Sequence, residues 1–164
     1  MTTAATPNDA TKAKSGWQYS MIKTRWVWDV ILLVSFVIVS IPQSTGLAIH
    51  EWASVVFIVP FVIHLILHWD WMKNLPATFV QKLKASDRFN IIWDAALYFM
   101  MIFVTFSGFL ASEVIFVQLG IDLEVLPFWQ KLHHDSSNWI LPMLGIHLAL
   151  HWDWIKKATK KMRK

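Results

Sequence analysis

The sequence predicts an all-α integral membrane protein, a four-helix bundle made of two duplicated helical hairpins with both termini cytoplasmic. Three observations lead there. Four apolar stretches follow one another, at roughly 26–44, 47–71, 90–112 and 136–155, each near the ~20 residues that cross a bilayer as a helix. A pattern at the end of the second stretch returns at the end of the fourth. Fourteen of the fifteen Lys and Arg residues fall on one side of the resulting topology.

Composition supports the same class. Of 164 residues, 55% are hydrophobic and 16% charged, against about 45–50% and about 25% in soluble domains. So much apolar surface excludes a disordered chain, and a chain this short cannot hide it all in one core. There is no cysteine. That excludes disulfides, thiolate zinc sites, iron–sulfur clusters and c-type haem, all of which need sulfur.

Residues 1–23 form a polar cytoplasmic tail that includes Thr2, Thr3, Asn8, Asp9 and Lys12. They lack the early apolar stretch of a signal peptide. The transmembrane domain covers 24–157, with hairpins at about 24–73 and 87–157, and a basic tail occupies 158–164. Span one runs from Trp26 and meets Pro42 after Ile41. Lys23 and Arg25 precede it; Lys73, Lys82, Lys84 and Arg88 separate spans two and three; Lys156, Lys157, Lys160, Lys161, Arg163 and Lys164 follow span four. The opposite side carries only Lys131, near Glu113, Asp122 and Glu124. Such an imbalance orients a membrane protein with its basic side inward, here most simply across a bacterial inner membrane. The net charge of +4 is therefore a topology signal and implies no nucleic-acid partner. Trp26, Trp28, Trp69, Trp71, Trp93, Trp152 and Trp154 gather at the cytoplasmic ends, as interfacial aromatics do. The longest outer connection spans 112–132. Its segment from Leu123 to Trp129 is placed on the membrane surface, over an outer site, as a docking surface for a redox partner.

The repeat is explicit. Leu65-Ile66-Leu67-His68-Trp69-Asp70-Trp71 returns as Leu148-Ala149-Leu150-His151-Trp152-Asp153-Trp154. His64 maps onto His147 and His50 onto His133 at the same offset, and Trp28-Asp29 returns as Trp93-Asp94. Spans two and four are then equivalent partners, related by an axis along the membrane normal.

His50 and His64 form a His-x13-His pair, and His133 and His147 form another. At about 100° per residue the two members of each pair share a helix face, about 21 Å apart along the axis. Pro60 and Pro142 lie between them and make this phase approximate. Facing spans two and four would bring His50 to His133 and His64 to His147, one pair near each membrane surface. Each pair can clamp a planar iron porphyrin axially, which gives two non-covalent b-type haems. Each ligating ring should donate its other N–H to an acceptor. His68 and His151 are also in phase with the outer histidines, so they stay alternative inner ligands. Their depth beside Trp-Asp-Trp favours contact with the ligand rings, with propionates or with protons. His134 is the alternative to His133. Asp29 and Asp94 either hydrogen-bond within the bundle or pair with His68 and His151 as a proton or quinone site. Gly46 and Gly108 are either close-approach positions or helix terminators. The sequence offers no catalytic residue.

The doubled His-x13-His, the ends His64–Trp71 and His147–Trp154, and the flanks Gly46…His50-Glu51-Trp52 and Trp129-Gln130-Lys131-Leu132-His133 resemble the flavinylation-associated cytochromes, over residues 24–157. That resemblance implies a small di-haem b membrane protein with His50, His64, His133 and His147 as ligands. It also implies electron transfer across the bilayer, from a quinol or an FMN-carrying partner protein. The chain is then an electron-transfer subunit more than a self-contained oxidoreductase. Two other classes compete: a membrane anchor whose histidines only pack, and a His-lined transporter for a divalent metal. The sequence does not set the oligomeric state.

Overall fold

The structure, a computed structural model, describes residues 7–70, 72–73, 76, 85–122 and 124–163. Residues 1–6 and, among the positions singled out above, Trp71, Lys82, Lys84, Leu123 and Lys164 lie outside the described residues. All regular structure among the described residues is helical: α1 (Pro7–Val39), α2 (Pro42–Thr45), α3 (Leu47–Leu67), α4 (Ala85–Leu110), α5 (Ile115–Gln118), α6 (Pro127–Leu150) and α7 (Trp152–Met162).

Helix α1 has 33 residues, about 50 Å at the helical rise. The polar segment after Pro7 continues the helix, with Pro at its tolerated first position. The chain then turns at Pro42, which cannot donate a backbone hydrogen bond. Gly46, at φ 87°, supplies the left-handed backbone that launches α3. Both α3 and α6 run unbroken through Pro60 and Pro142.

The second and fourth apolar stretches end earlier than their composition suggests. Helix α3 stops at Leu67 and α6 at Leu150, with His68 and His151 as their C-caps. The expected continuation to 71 and 155 is thereby corrected. After His151 a new helix begins with Asp153 in its first turn, where a carboxylate complements the helix dipole. On α7, Trp154, Ile155, Ala158, Thr159 and Met162 turn inward, while Lys156, Lys157, Lys160 and Lys161 are exposed. A helix split this way belongs at a surface. It docks on the long α1: Trp26 Nε1 donates to Thr159 Oγ1 at 2.9 Å, Tyr19 Oη to the Lys161 carbonyl at 3.3 Å, and Ala158 is buried.

Two of the described helices, α3 and α4, are long and apolar enough to cross a membrane by length and composition. The apolar part of α1 runs only from Trp26 to Val39, and α6 carries Lys131, His133, His134 and Asp135 in its first turns. All four long helices nevertheless expose large apolar side chains, among them Val34, Val56, Phe99 and Trp139. A soluble bundle would cover such positions.

Helix α1 packs along α3, and α4 along α6. The two hairpins meet chiefly at their ends, through α5 on α3 and α7 on α1. Midway, Phe36 and Phe57 of the first hairpin join Leu97, Met101 and Ile140 of the second in one buried apolar cluster. That layer separates two clusters of histidine. One lies at the end carrying α7 and the lysines, here called the basic end. The other lies at the end carrying α2 and α5, the loop end.

Candidate functional site

At the loop end, His50 of α3 faces His133 of α6, with ring centroids 6.0 Å apart and planes at 59°. Two imidazoles binding one metal from opposite sides, with bonds of about 2 Å and a ring radius of about 1.1 Å, hold their centroids about 6 Å apart. The spacing would let the two rings hold one metal between them. His50 Nδ1 lies 2.7 Å from the Val39 carbonyl and His133 Nδ1 lies 3.0 Å from the Val104 carbonyl. A carbonyl only accepts, so each Nδ1 carries the proton and each Nε2 keeps its lone pair for a metal.

Both acceptors have local causes. Val39 ends α1, and the last carbonyls of a helix have no partner within it. Val104 sits inside α4, where its oxygen also accepts the Ser107 hydroxyl at 3.1 Å; a carbonyl has two lone pairs. The His133 ring reaches it across Gly108. A Cβ built there would stand 2.7 Å from His133 Cε1 and 2.9 Å from Nδ1. The two glycines thus divide the roles left open above: Gly108 is a close approach and Gly46 a turn with nothing within 4 Å of a Cβ. His134, the alternative to His133, is exposed on α6.

The loop-end connection is bound to the bundle by Glu51. This carboxylate is 7% exposed. It accepts the Ser112 hydroxyl at 2.5 Å and the backbone N–H groups of Glu113 (2.9 Å), Val114 (3.0 Å) and Ile115 (3.0 Å). Those N–H groups open the short helix α5, so Glu51 serves as its cap from another helix. Trp52 Nε1 donates to Gln118 at 2.8 Å, and the Gln130 amide donates to the Glu113 carboxylate. Of the segment expected to lie on the membrane surface, Pro127, Phe128 and Trp129 belong to the first turn of α6.

At the basic end, His64 Nδ1 lies 2.7 Å from Asp29 Oδ1, and His147 Nδ1 lies 2.9 Å from Asp94 Oδ1. Here too the partner only accepts, so Nδ1 is the donor and Nε2 is the ring nitrogen left to face a metal. The aspartates do pair with the other two histidines, but less closely. His151 Nε2 lies 3.2 Å from both Asp94 oxygens. His68 Nε2 lies 3.4 Å from Asp29 Oδ1 without hydrogen-bond geometry. The rings of His64 and His68, and of His147 and His151, stand 4.6 Å apart. All six side chains line one cavity of about 260 Å³ that spans both hairpins, with Tyr98 and Trp154 also in its wall. Within each Asp-His-His group the donor atoms lie within 4.8 Å of one another, close enough to hold a metal ion. At this end Arg25 Nε has no hydrogen-bond partner among the described residues, and His68 Nε2 has only its 3.4 Å approach to Asp29 Oδ1. Of the two, His68 lines the cavity, and an N–H there suits an anionic substituent on whatever fills it.

The sequence singled out the histidines and aspartates but not the carbonyls of Val39 and Val104. A signal exists: the step from Asp29 to Asp94 equals the step from Val39 to Val104. Backbone acceptors leave no residue-type signature, so only the register of the repeat reveals them.

Comparison with known proteins identifies a family. The family model described as prokaryotic cytochrome b561 matches residues 11–163. No curated protein and no solved structure gives a match.

Proposed function

The chain belongs to the prokaryotic cytochrome b561 family, and from that premise we propose that it is a four-span, two-haem conduit for electrons across the bilayer. Membership makes it a b-type haem electron-transfer cytochrome of the membrane. The finer assignment is His50 with His133 at the loop end and His64 with His147 at the basic end. One observation carries it: each of these four rings has its Nδ1 held by a fixed acceptor, at 2.7 to 3.0 Å. A hydrogen bond of this kind fixes the tautomer and the plane of a metal-binding imidazole. Recurrence of the scheme in both hairpins, in one register, supports the reading of the chain as a duplication.

A b-type haem held by two imidazoles supplies a one-electron carrier whose potential follows ligation, hydrogen bonding and burial. The protein's own residues do the rest. Val39, Val104, Asp29 and Asp94 orient the rings. Gly108 makes room for one of them. Phe36, Phe57, Leu97, Met101 and Ile140 keep water out of the layer between the two sites. Arg25 and His68 offer N–H groups to carboxylate substituents at the basic end, while His151 is committed to Asp94 and is thereby supported as a contact rather than a ligand. We place the basic end on the cytoplasmic face of a bacterial inner membrane. The electron donor we favour is a quinol or an FMN-carrying protein, as the resemblance to flavinylation-associated cytochromes implies.

A dithionite-reduced minus oxidised spectrum of the purified chain, with haem quantified, tests the reading. A b-type α band and two haems per chain are expected. His133→Ala should cost one haem and His147→Ala the other, while His134→Ala keeps both. A colourless protein that binds a divalent metal would favour the transporter, for which the two Asp-His-His groups are the candidate sites.

A further inference from the structure

The two histidine pairs differ in one respect: what their Nδ1 groups meet. At the loop end both partners are neutral backbone carbonyls, Val39 at 2.7 Å and Val104 at 3.0 Å. At the basic end both are carboxylates, Asp29 at 2.7 Å and Asp94 at 2.9 Å. We propose that Asp29 and Asp94 are positioning residues that set the basic-end haem to a lower reduction potential than the loop-end haem. The inference rests on the two-site reading above.

A carboxylate hydrogen-bonded to Nδ1 draws that proton towards itself and makes Nε2 a stronger donor to the metal. It also adds a negative charge one ring away from the iron, in surroundings that screen poorly. Both effects stabilise the oxidised, more positive metal and lower the potential. A carbonyl fixes the ring equally well but brings no charge. Two such carboxylates act at one site and none at the other.

Opposing charges at each end are weaker than these direct partners. Lys73 and Lys156 are near the basic end, but they are 63% and 57% exposed and pair with Asp70 and Asp153. Water and salt screen such cations. Among the described residues no Lys or Arg forms an ion pair with Asp29 or Asp94; beyond the ring partners they meet only His68 at 3.4 Å and His151 at 3.2 Å, and Arg25, whose Nε has no hydrogen bond, is the cation at this end that opposes them. At the loop end, Glu51 is the neighbour of His50 in sequence, and its charge would lower the potential there. Its two oxygens are instead taken by one hydroxyl and three N–H groups of the α5 connection, and those donors offset its charge. The difference in direct ring partners therefore decides the order. With both haems bound, a single electron shared by the two sites would reside at the loop end.

The test is a potentiometric titration of the purified full-length chain, followed optically. Haem content is measured first: fewer than two haems per chain overturns the two-site reading itself, before any potential is compared. Given two haems, two one-electron steps are expected, at least tenfold apart in equilibrium constant, or about 59 mV. His147→Ala should remove the lower step and His133→Ala the upper. Asp29→Asn and Asp94→Asn should each raise the lower step by about tenfold and leave the upper in place, whereas Asp29→Glu should keep the lower step low. Loss of the upper step in His147→Ala, or Asn variants that move both steps or neither, would overturn the proposal. If the Asn variants fail to hold haem, the order of steps in the two His variants decides alone.

Discussion

Gly108 and His133 share one volume: the space where a Cβ would stand on Gly108, 2.7 Å from Cε1, is taken by the imidazole ring. Real Cβ contacts do not come that close, and the same edge of the ring is held by the Val104 carbonyl at Nδ1. Gly108→Ala should therefore push His133 off its acceptor and away from His50. On the two-haem reading, the loop-end haem should be lost or weakened, with the basic-end haem retained, measured as haem per chain and by the number of steps in a redox titration. Gly108→Ala protein with both haems at unchanged potential would show that the ring can shift freely. Gly46, with open space around it, gives the contrasting case, where only backbone conformation is at stake.

Glu51 bears on stability rather than on ligation. Its oxygens satisfy four donors from the connection between α4 and α5. Glu51→Gln keeps the shape but replaces one acceptor oxygen with an NH2 group, which faces N–H groups it cannot accept from. A buried donor left unpaired costs about 1–3 kcal/mol, and hydrogen bonds to charged groups are at the upper end of the scale. A loss of about 2–3 kcal/mol is expected in detergent unfolding. Because Glu51 touches neither ring, haem content at low temperature should stay at the wild-type value.

How much of this was legible in the sequence varies with what carries each feature. The helical class, the basic side and the pairing of His50 with His133 follow from spacing and composition, because side-chain type and periodicity carry them. The partners of the rings split. Asp29 and Asp94 stood out as repeated charges in apolar stretches, yet their nearest contacts are His64 and His147, with His68 and His151 more distant. Phase alone could not choose between rings one helical turn apart, which differ by only ~40°. The breaks at His68 and His151 were hidden because apolar and aromatic residues continue past them; the amphipathic split of α7 was the available sign. The capping role of Glu51 depends on contacts far apart in sequence, with Ser112 and Ile115, which no local pattern reports.

The apolar layer between the two histidine clusters gives the last expectation. Phe57 is 5% exposed. Its ring packs 6.1 Å from Phe36 and stacks 6.0 Å from Phe61. In a membrane, lipid is as apolar as the core, so burial from water contributes little and packing itself must hold the helices together. Phe57→Ala removes roughly 100 Å³ of side chain, and at about 24 cal/mol per Å³ of residual cavity the loss is about 2 kcal/mol. Phe57→Leu keeps most of the volume and should cost less than half of that. Phe57 also lines the basic-end cavity together with Asp29 and His64, so the void in the alanine variant opens towards polar groups and is in reach of water. The variant is thus expected to unfold at lower denaturant concentration and to shift the redox behaviour of the basic-end site, with the loop-end site unchanged. An unchanged basic-end potential with Phe57→Ala would show that the layer stays dry.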